Sequence, residues 1–329
     1  MFLDLPQELR DQVYEEILLG LRTRPTLGGE KFMVYNPHSR FKKIYEPQSS
    51  LRGEFGCGYA LDPLPSTCGA FLACNRQIHA EMKDTMLRLD NKGLVNAHLD
   101  CIAEDESFHY FTWLGIPLVS TRSVQRQSIR TGVLPAYMDE WVMRALAEPL
   151  RMLGQAERFT CRNSTTQIGR LWVDVRITGN RMNKWHRNNN PGDRTGWAIC
   201  AALKRLFDKG PYLPSDRDQP STRVVTVDEL VLNVVSPPSG VKMLEEDCPL
   251  DEVKEGTVHP RTVAKELANV WSKIWMGDEF KGYLFMGLME RIGWVRVCVD
   301  GEVFRVRELR GALERGRKER QKIRERIGV

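Results

Sequence analysis

No stretch of this 329-residue chain is apolar for long enough to cross a membrane. Runs such as Phe71–Ala73 and Tyr283–Met286 fall far short of the roughly twenty residues a spanning helix needs. The amino end also lacks the basic segment of a secretory leader: Met1-Phe2-Leu3-Asp4-Leu5-Pro6 carries an early acid and an early proline instead. The expected location is therefore cytoplasmic or nuclear, with no membrane partner. None of the eight cysteines forms a C-x-x-C pair. Without a leader their even number does not argue for disulfides, and reduced thiols are expected. Asn163-Ser164-Thr165 matches a glycosylation sequon but carries no weight in a chain outside the secretory route.

The signatures of common chemistries are missing too. There is no G-x-S-x-G elbow, no G-K-[ST] after Gly28-Gly29, and no H-E-x-x-H. His98, Asp100, Glu104, Asp105, Glu106 and His109 gather metal-binding residue types without a ligand spacing, so they read as a solvated acidic loop after a strand. His186 to Gly192 reads as a turn. The expectation is a protein without catalytic residues, cofactor or metal.

What is present is enough for a core: 42% of residues are hydrophobic. The net charge of +5 is uneven. Residues 305–329 hold ten Arg or Lys against four Glu, a net of +6, which leaves the rest of the chain at about −1. The basic balance belongs to a tail, not to a basic fold. Glu314, Glu319 and Glu325 dilute the tail, so nucleic acid is the weakest of the partner readings.

Periodicity predicts helices over 1–20 (Leu9, Val13, Ile17), 70–89 (Cys74, Ile78, Met82, Met86), 137–153, 197–209 and 261–277, with a charged helix or tail over 307–327. Alternation predicts strands over 94–103, 168–178, 224–235 and 292–300. Strand–helix–strand order implies an α/β (α+β) fold with a mainly parallel sheet. A sheet covered on both faces would show continuous apolar strands. These strands alternate with charge, so the expected architecture is irregular strand–helix repeats with helices on one face and the other face open. Residues 21–67 sustain no period and read as a long insert.

Two segments carry a resemblance. Phe2-Leu3-Asp4-Leu5-Pro6-Gln7-Glu8-Leu9-Arg10, continuing into Val13-Tyr14-Glu15-Glu16-Ile17-Leu18, resembles the opening of fungal F-box and F-box-like proteins. Asn75-Arg76-Gln77-Ile78-His79-Ala80-Glu81 resembles their C-R-Q-I-x-x-E helix. Further similar stretches are Leu99–Cys101, Phe111–Pro117, Leu171–Arg176 and Arg291–Val297. The resemblance implies an adaptor that docks on a Skp1-like linker of a cullin ubiquitin ligase and recruits a protein target. Matched residue by residue, the docking positions are Leu5, Pro6, Leu9, Val13 and Ile17. The long insert departs from the usual three packed helices. The same helix could therefore serve an interaction module outside the ligase system, or simply cap the chain's own core.

Independently of the resemblance, Arg170, Trp172, Arg176, Trp294 and Arg296 occupy the gaps in the strand alternation and fall on the open face. Trp and Arg dominate binding hot spots, although the same types also cover sheets by cross-strand packing. The sequence divides into an F-box-like helical region (1–92), a strand–helix domain (93–304) and a basic tail (305–329).

Overall fold

The computed structural model describes residues 2–26, 41–45, 56–62, 65, 74–106, 108–116, 120–123, 164–180, 193–211, 224–246, 256–276, 285, 287–311 and 313–314. The expected 137–153 helix and most of the basic tail lie outside them. The helices are α1 (Gln7–Leu19), α2 (Arg76–Asn91), α3 (Arg194–Lys209), α4 (Pro260–Met276) and the short α5 (Leu288–Arg291). The strands are β1 (Phe41–Tyr45), β2 (Gly56–Ala60), β3 (Ala97–Glu104), β4 (Phe108–Gly115), β5 (Ser120–Ser123), β6 (Ser164–Thr178), β7 (Val224–Val235), β8 (Ile292–Val299) and β9 (Glu302–Glu308).

All nine join one open sheet in the order β1-β2-β4-β3-β6-β7-β8-β9, with β5 added to β6. Its centre, β3-β6-β7-β8, is parallel, and antiparallel β4 and β9 flank that block. From β6 through β8 the strand order advances in one direction. Crossovers of one hand then put α3 and α4 on the same face. That face is dry: Leu171, Val173 and Val175 of β6, and Leu230, Leu232 and Val234 of β7, are fully buried. They share a core with Trp197, Leu203, Val270 and Ile274 of the two helices. α3 and α4 cross closely at Gly196, where a Cβ would lie 2.7 Å from Val270 Cγ2. Gly210 closes α3 at φ +85°, the left-handed backbone that glycine adopts without strain.

The opposite face carries the polar residues of the alternation, but it is not bare: Asp100 and Asp174 on it are buried together with Ile102, Leu114 and Val231. The segment 20–26 leaves α1 and runs onto it: Arg22 N–H donates to the Leu114 carbonyl at 2.8 Å. Farther along, Arg24 pairs with Asp174, and Arg176 donates to the Pro25 carbonyl at 2.7 Å.

α1 and α2 form a second, smaller core of Tyr14, Leu18, Ile78, Met82 and Leu89, with Phe2 and Val95 packed on it. Asn75 caps α2 by accepting from the Gln77 N–H at 2.8 Å, as an N-cap asparagine should. Cys74, expected on the buried stripe, is exposed because α2 begins only at Arg76.

Three boundaries read from the sequence are corrected. Residues 21–67 are not all loop, since β1 pairs with β2, and β2 runs parallel to β4. Cys57 and Tyr59 face the core, and Gly58 makes room for Tyr110, whose Cδ1 would stand 2.8 Å from a Cβ there. The insert thus ties the helical region to the sheet across the 92/93 division. At the other end, residues 305–308 are strand, and buried Leu309 belongs to the main core, so the tail starts later than 305. The acidic cluster is not a solvated loop: Asp100, Glu104, Glu106 and His109 are buried.

Candidate functional site

α1 separates its residues by face. Arg10, Tyr14 and Leu18 point inward and are buried. An arginine can be buried only with its charge met, and here it is. Arg10 Nε and Nη2 grip the Glu81 carboxylate of α2 at 3.0 and 2.7 Å, a bidentate fork–fork pair. The Tyr14 hydroxyl donates to the same carboxylate at 2.8 Å, and Gln77 Nε2 donates to it at 2.9 Å. Arg10 Nη1 also donates to the carbonyls of Leu3 and Leu5, which ties down the turn before the helix. Arg10, Tyr14 and Gln77 together hold the Glu81 carboxyl down at about 2. Burial, reinforced by that carboxylate, pushes the Tyr14 phenol up to about 12. At the surface, Arg88 reaches Asp11 at 2.8 Å.

With that face committed, Leu9 and Val13, one position before Arg10 and Tyr14, turn outward, as does Leu5 in the turn before the helix. Leu5 is 39% exposed, Leu9 46% and Val13 37%. Pro6, next to Leu5, is exposed at the helix N-cap. Ile17 differs: it is half-buried against the small core. The stripe Leu9, Val13, Ile17 is therefore not the inner face of α1. It is an outer ridge whose last member turns in.

The second surface is the polar sheet face, and the five residues expected there lie on it in two groups. Asp100 of β3 stands opposite Asp174 of β6 in register, and two buried carboxylates side by side each need a cation. Arg176 clamps Asp100 at 2.8 and 2.6 Å. Burial nevertheless keeps the Asp100 carboxyl above its ordinary range, while Arg176 pulls it down. Asp174 takes Arg24, the Trp172 indole N–H at 2.8 Å and Asn233 Nδ2 at 2.8 Å. Trp172 stacks on His98 at 5.7 Å, and burial lowers the His98 pKa. Arg176 and Trp172 are thus engaged within the chain.

Nearer the β9 edge the balance changes. Glu229 lies between Arg170 and Arg296, accepting from both Nε atoms at 2.6 and 2.7 Å. Two guanidinium groups share one carboxylate, and Trp294 beside them is 46% exposed. With Glu308 opposite Trp294 in the β8–β9 register, this end of the face sets two arginines and an uncovered aromatic beside two carboxylates, and Arg and Trp are the residue types that anchor protein interfaces.

Sequence reasoning found the ridge but missed what frees it. Arg10 and Glu81 are 71 positions apart, so no local period links them. Each does sit in one of the two family-like motifs, and the clamp joins those motifs. No protein-family model, curated protein or solved structure matches the chain. Among the described residues no group of His, Cys, Asp and Glu could hold a metal ion, and no helix is long and apolar enough to cross a membrane.

Proposed function

We propose that the chain is an F-box-like protein-interaction adaptor, the substrate-recruiting subunit of a Skp1–cullin-type ubiquitin ligase. The observation that carries the reading is the outward ridge of Leu9 and Val13, continued by Leu5 in the turn before it, on a helix whose inner face is locked by Arg10, Tyr14 and Leu18. Exposed apolar residues at helical spacing, rigidly presented, suit a helical partner that buries them in a groove. Because the helix is ordered beforehand, docking spends little of its free energy on arranging it. The segment 20–26, pinned to the sheet by Arg24 and Arg176, links that helix to the face on which a protein target would be recruited.

A second reading is an interaction module outside the ligase system, using the same ridge for another helical protein. It is favoured by β1 and β2, which draw the stretch between α1 and α2 into the sheet, a departure from a self-contained three-helix docking domain. Co-expression with a Skp1-type protein separates the two. The adaptor reading expects a complex that Leu9→Asp with Val13→Asp abolishes while the melting temperature holds. A well-folded chain that never retains the linker leaves the second reading in possession.

A further inference from the structure

β9 closes the sheet at an edge, pairing with β8 alone among the described residues. Alternate N–H and C=O groups of such a strand point away from its neighbour. Proteins seldom leave a long apolar edge uncovered, since it templates pairing with another chain. Yet Val303 is 54% exposed, Phe304 39% and Val306 43%. In the β8–β9 register Val306 stands opposite Arg296, next to Trp294. The edge is therefore continuous with the uncovered end of the polar face.

Within β9 the two arginines, Arg305 and Arg307, lie toward its centre and are matched by Glu302 and Glu308 at its ends, so the positive surplus comes from the middle of the strand and from its surroundings. Arg305 and Arg310 are exposed. Arg307 lies over Trp275 at 6.0 Å and donates to Ser272 Oγ at 3.1 Å. Burial, and the nearby positive charge of Arg305, lower its pKa. Arg170 and Arg296 stand on the other side about Glu229, and the sequence beyond β9 continues basic. A second copy of this strand is a poor match. Antiparallel self-pairing that aligns the strand ends puts Arg305 opposite Arg305 and Glu302 opposite Glu308, and like charges directly opposite are destabilising.

We propose that β9 is an acceptor edge for an extended acidic peptide segment of a protein partner. The segment adds an antiparallel or parallel strand outside β9, with its apolar side chains against Val303, Val306 and Trp294 on the polar face and its carboxylates beside Arg305 and Arg307 on the other. Main-chain pairing supplies affinity, and the alternation of side chains supplies selection. The inference goes beyond the docking of α1 and names the chemistry of what the second surface would take.

The test is fluorescence anisotropy with the intact chain and a labelled peptide of alternating valine and glutamate long enough to span β9. The expected result is saturable binding that weakens with added salt. A peptide of the same composition, with its valines and glutamates in separate blocks, should bind about tenfold less tightly, because it cannot put one residue type on each face. Val306→Glu and Arg305→Glu, both at exposed positions, should each weaken binding about tenfold, since the first sets a charge against the peptide's valines and the second sets like charge against its glutamates. Leu9→Asp with Val13→Asp should leave the peptide affinity unchanged, which distinguishes a failure here from a failure of the α1 docking reading. No binding by a well-folded chain overturns the inference. So does equal binding of the blocked peptide, or tighter binding of a single-stranded oligonucleotide. Sedimentation that finds a dimer dispersed by Val306→Glu overturns it in favour of a second copy of the chain.

Discussion

The sheet with α3 and α4, and the α1–α2 pair, hold themselves together by different means. In the first, two layers, the sheet with β6 and β7 and the helices α3 and α4, interlock aliphatic and aromatic side chains with little polar content. In the second, five buried apolar side chains surround one carboxylate that takes an arginine, a tyrosine and a glutamine. A large apolar core resists salt and fails as a unit, its pH response confined to a rare buried titratable group such as His109. A small core completed by charge is specified sharply, because only one arrangement satisfies Arg10 and Glu81, but it depends on ionisation. The interaction ridge sits on the second kind of structure, where local opening is cheapest.

The comparison is broken most severely by Trp197→Ala, which removes the largest buried side chain of the sheet core among the described residues. The expected cost is about 3–5 kcal/mol, read as a fall in the denaturant midpoint of the entire chain. Next in size is a proton linkage on the same core. His109 is fully enclosed, meets Thr195 Oγ1 at 3.2 Å, and burial holds its pKa down to about 3. The unfolded chain takes up that proton near 6.5. Stability should therefore fall as pH drops through this interval, by about 1.4 kcal/mol per pH unit at most. Denaturant titrations at stepped pH should find the slope reduced in His109→Gln.

The helical pair responds at lower pH and locally. Glu81 stabilises it fully above the ordinary carboxylate value of 4.5, and that contribution is lost as pH falls toward about 2. Hydrogen exchange of α1 and α2 should accelerate across this range by local opening, while the sheet amides follow the global loss through His109. Tyr14→Phe keeps the ring but deletes its hydrogen bond to Glu81, at a cost of about 1 kcal/mol, again visible first as faster exchange in α1. The smallest stability effect is expected for Leu9→Asp or Val13→Asp. Both positions are exposed, and each should shift stability by less than about 0.5 kcal/mol.

Alternation along residues 168–178 and 224–235 made β6 and β7 legible, and the charges between their valines already indicated helices on one face. β4 escaped this reading because Tyr110, Thr112 and Leu114 are buried on one side while Phe111 and Trp113 are buried on the other, so no period of two survives. β2 escaped because Gly56 and Gly58 carry no side chain to mark a face. β9 was absorbed into the basic tail, although its alternation of Val and Arg is plain once β8 is beside it. The face of α1 was the most instructive. A helical stripe of Leu, Val and Ile ordinarily turns inward, and here a buried Arg10, paired across 71 positions, reverses the sense. Long-range pairing of a charge is invisible to any window along the chain.

Calorimetric titration of a Skp1-type linker protein into the intact chain tests most directly whether the clamp on the inner face of α1 leaves the outer ridge free for a partner. The account predicts saturable binding that disappears in Leu9→Asp with Val13→Asp and persists in Arg296→Gln. Equal binding by the double variant, or no heat from a chain with an undiminished melting transition, would contradict it.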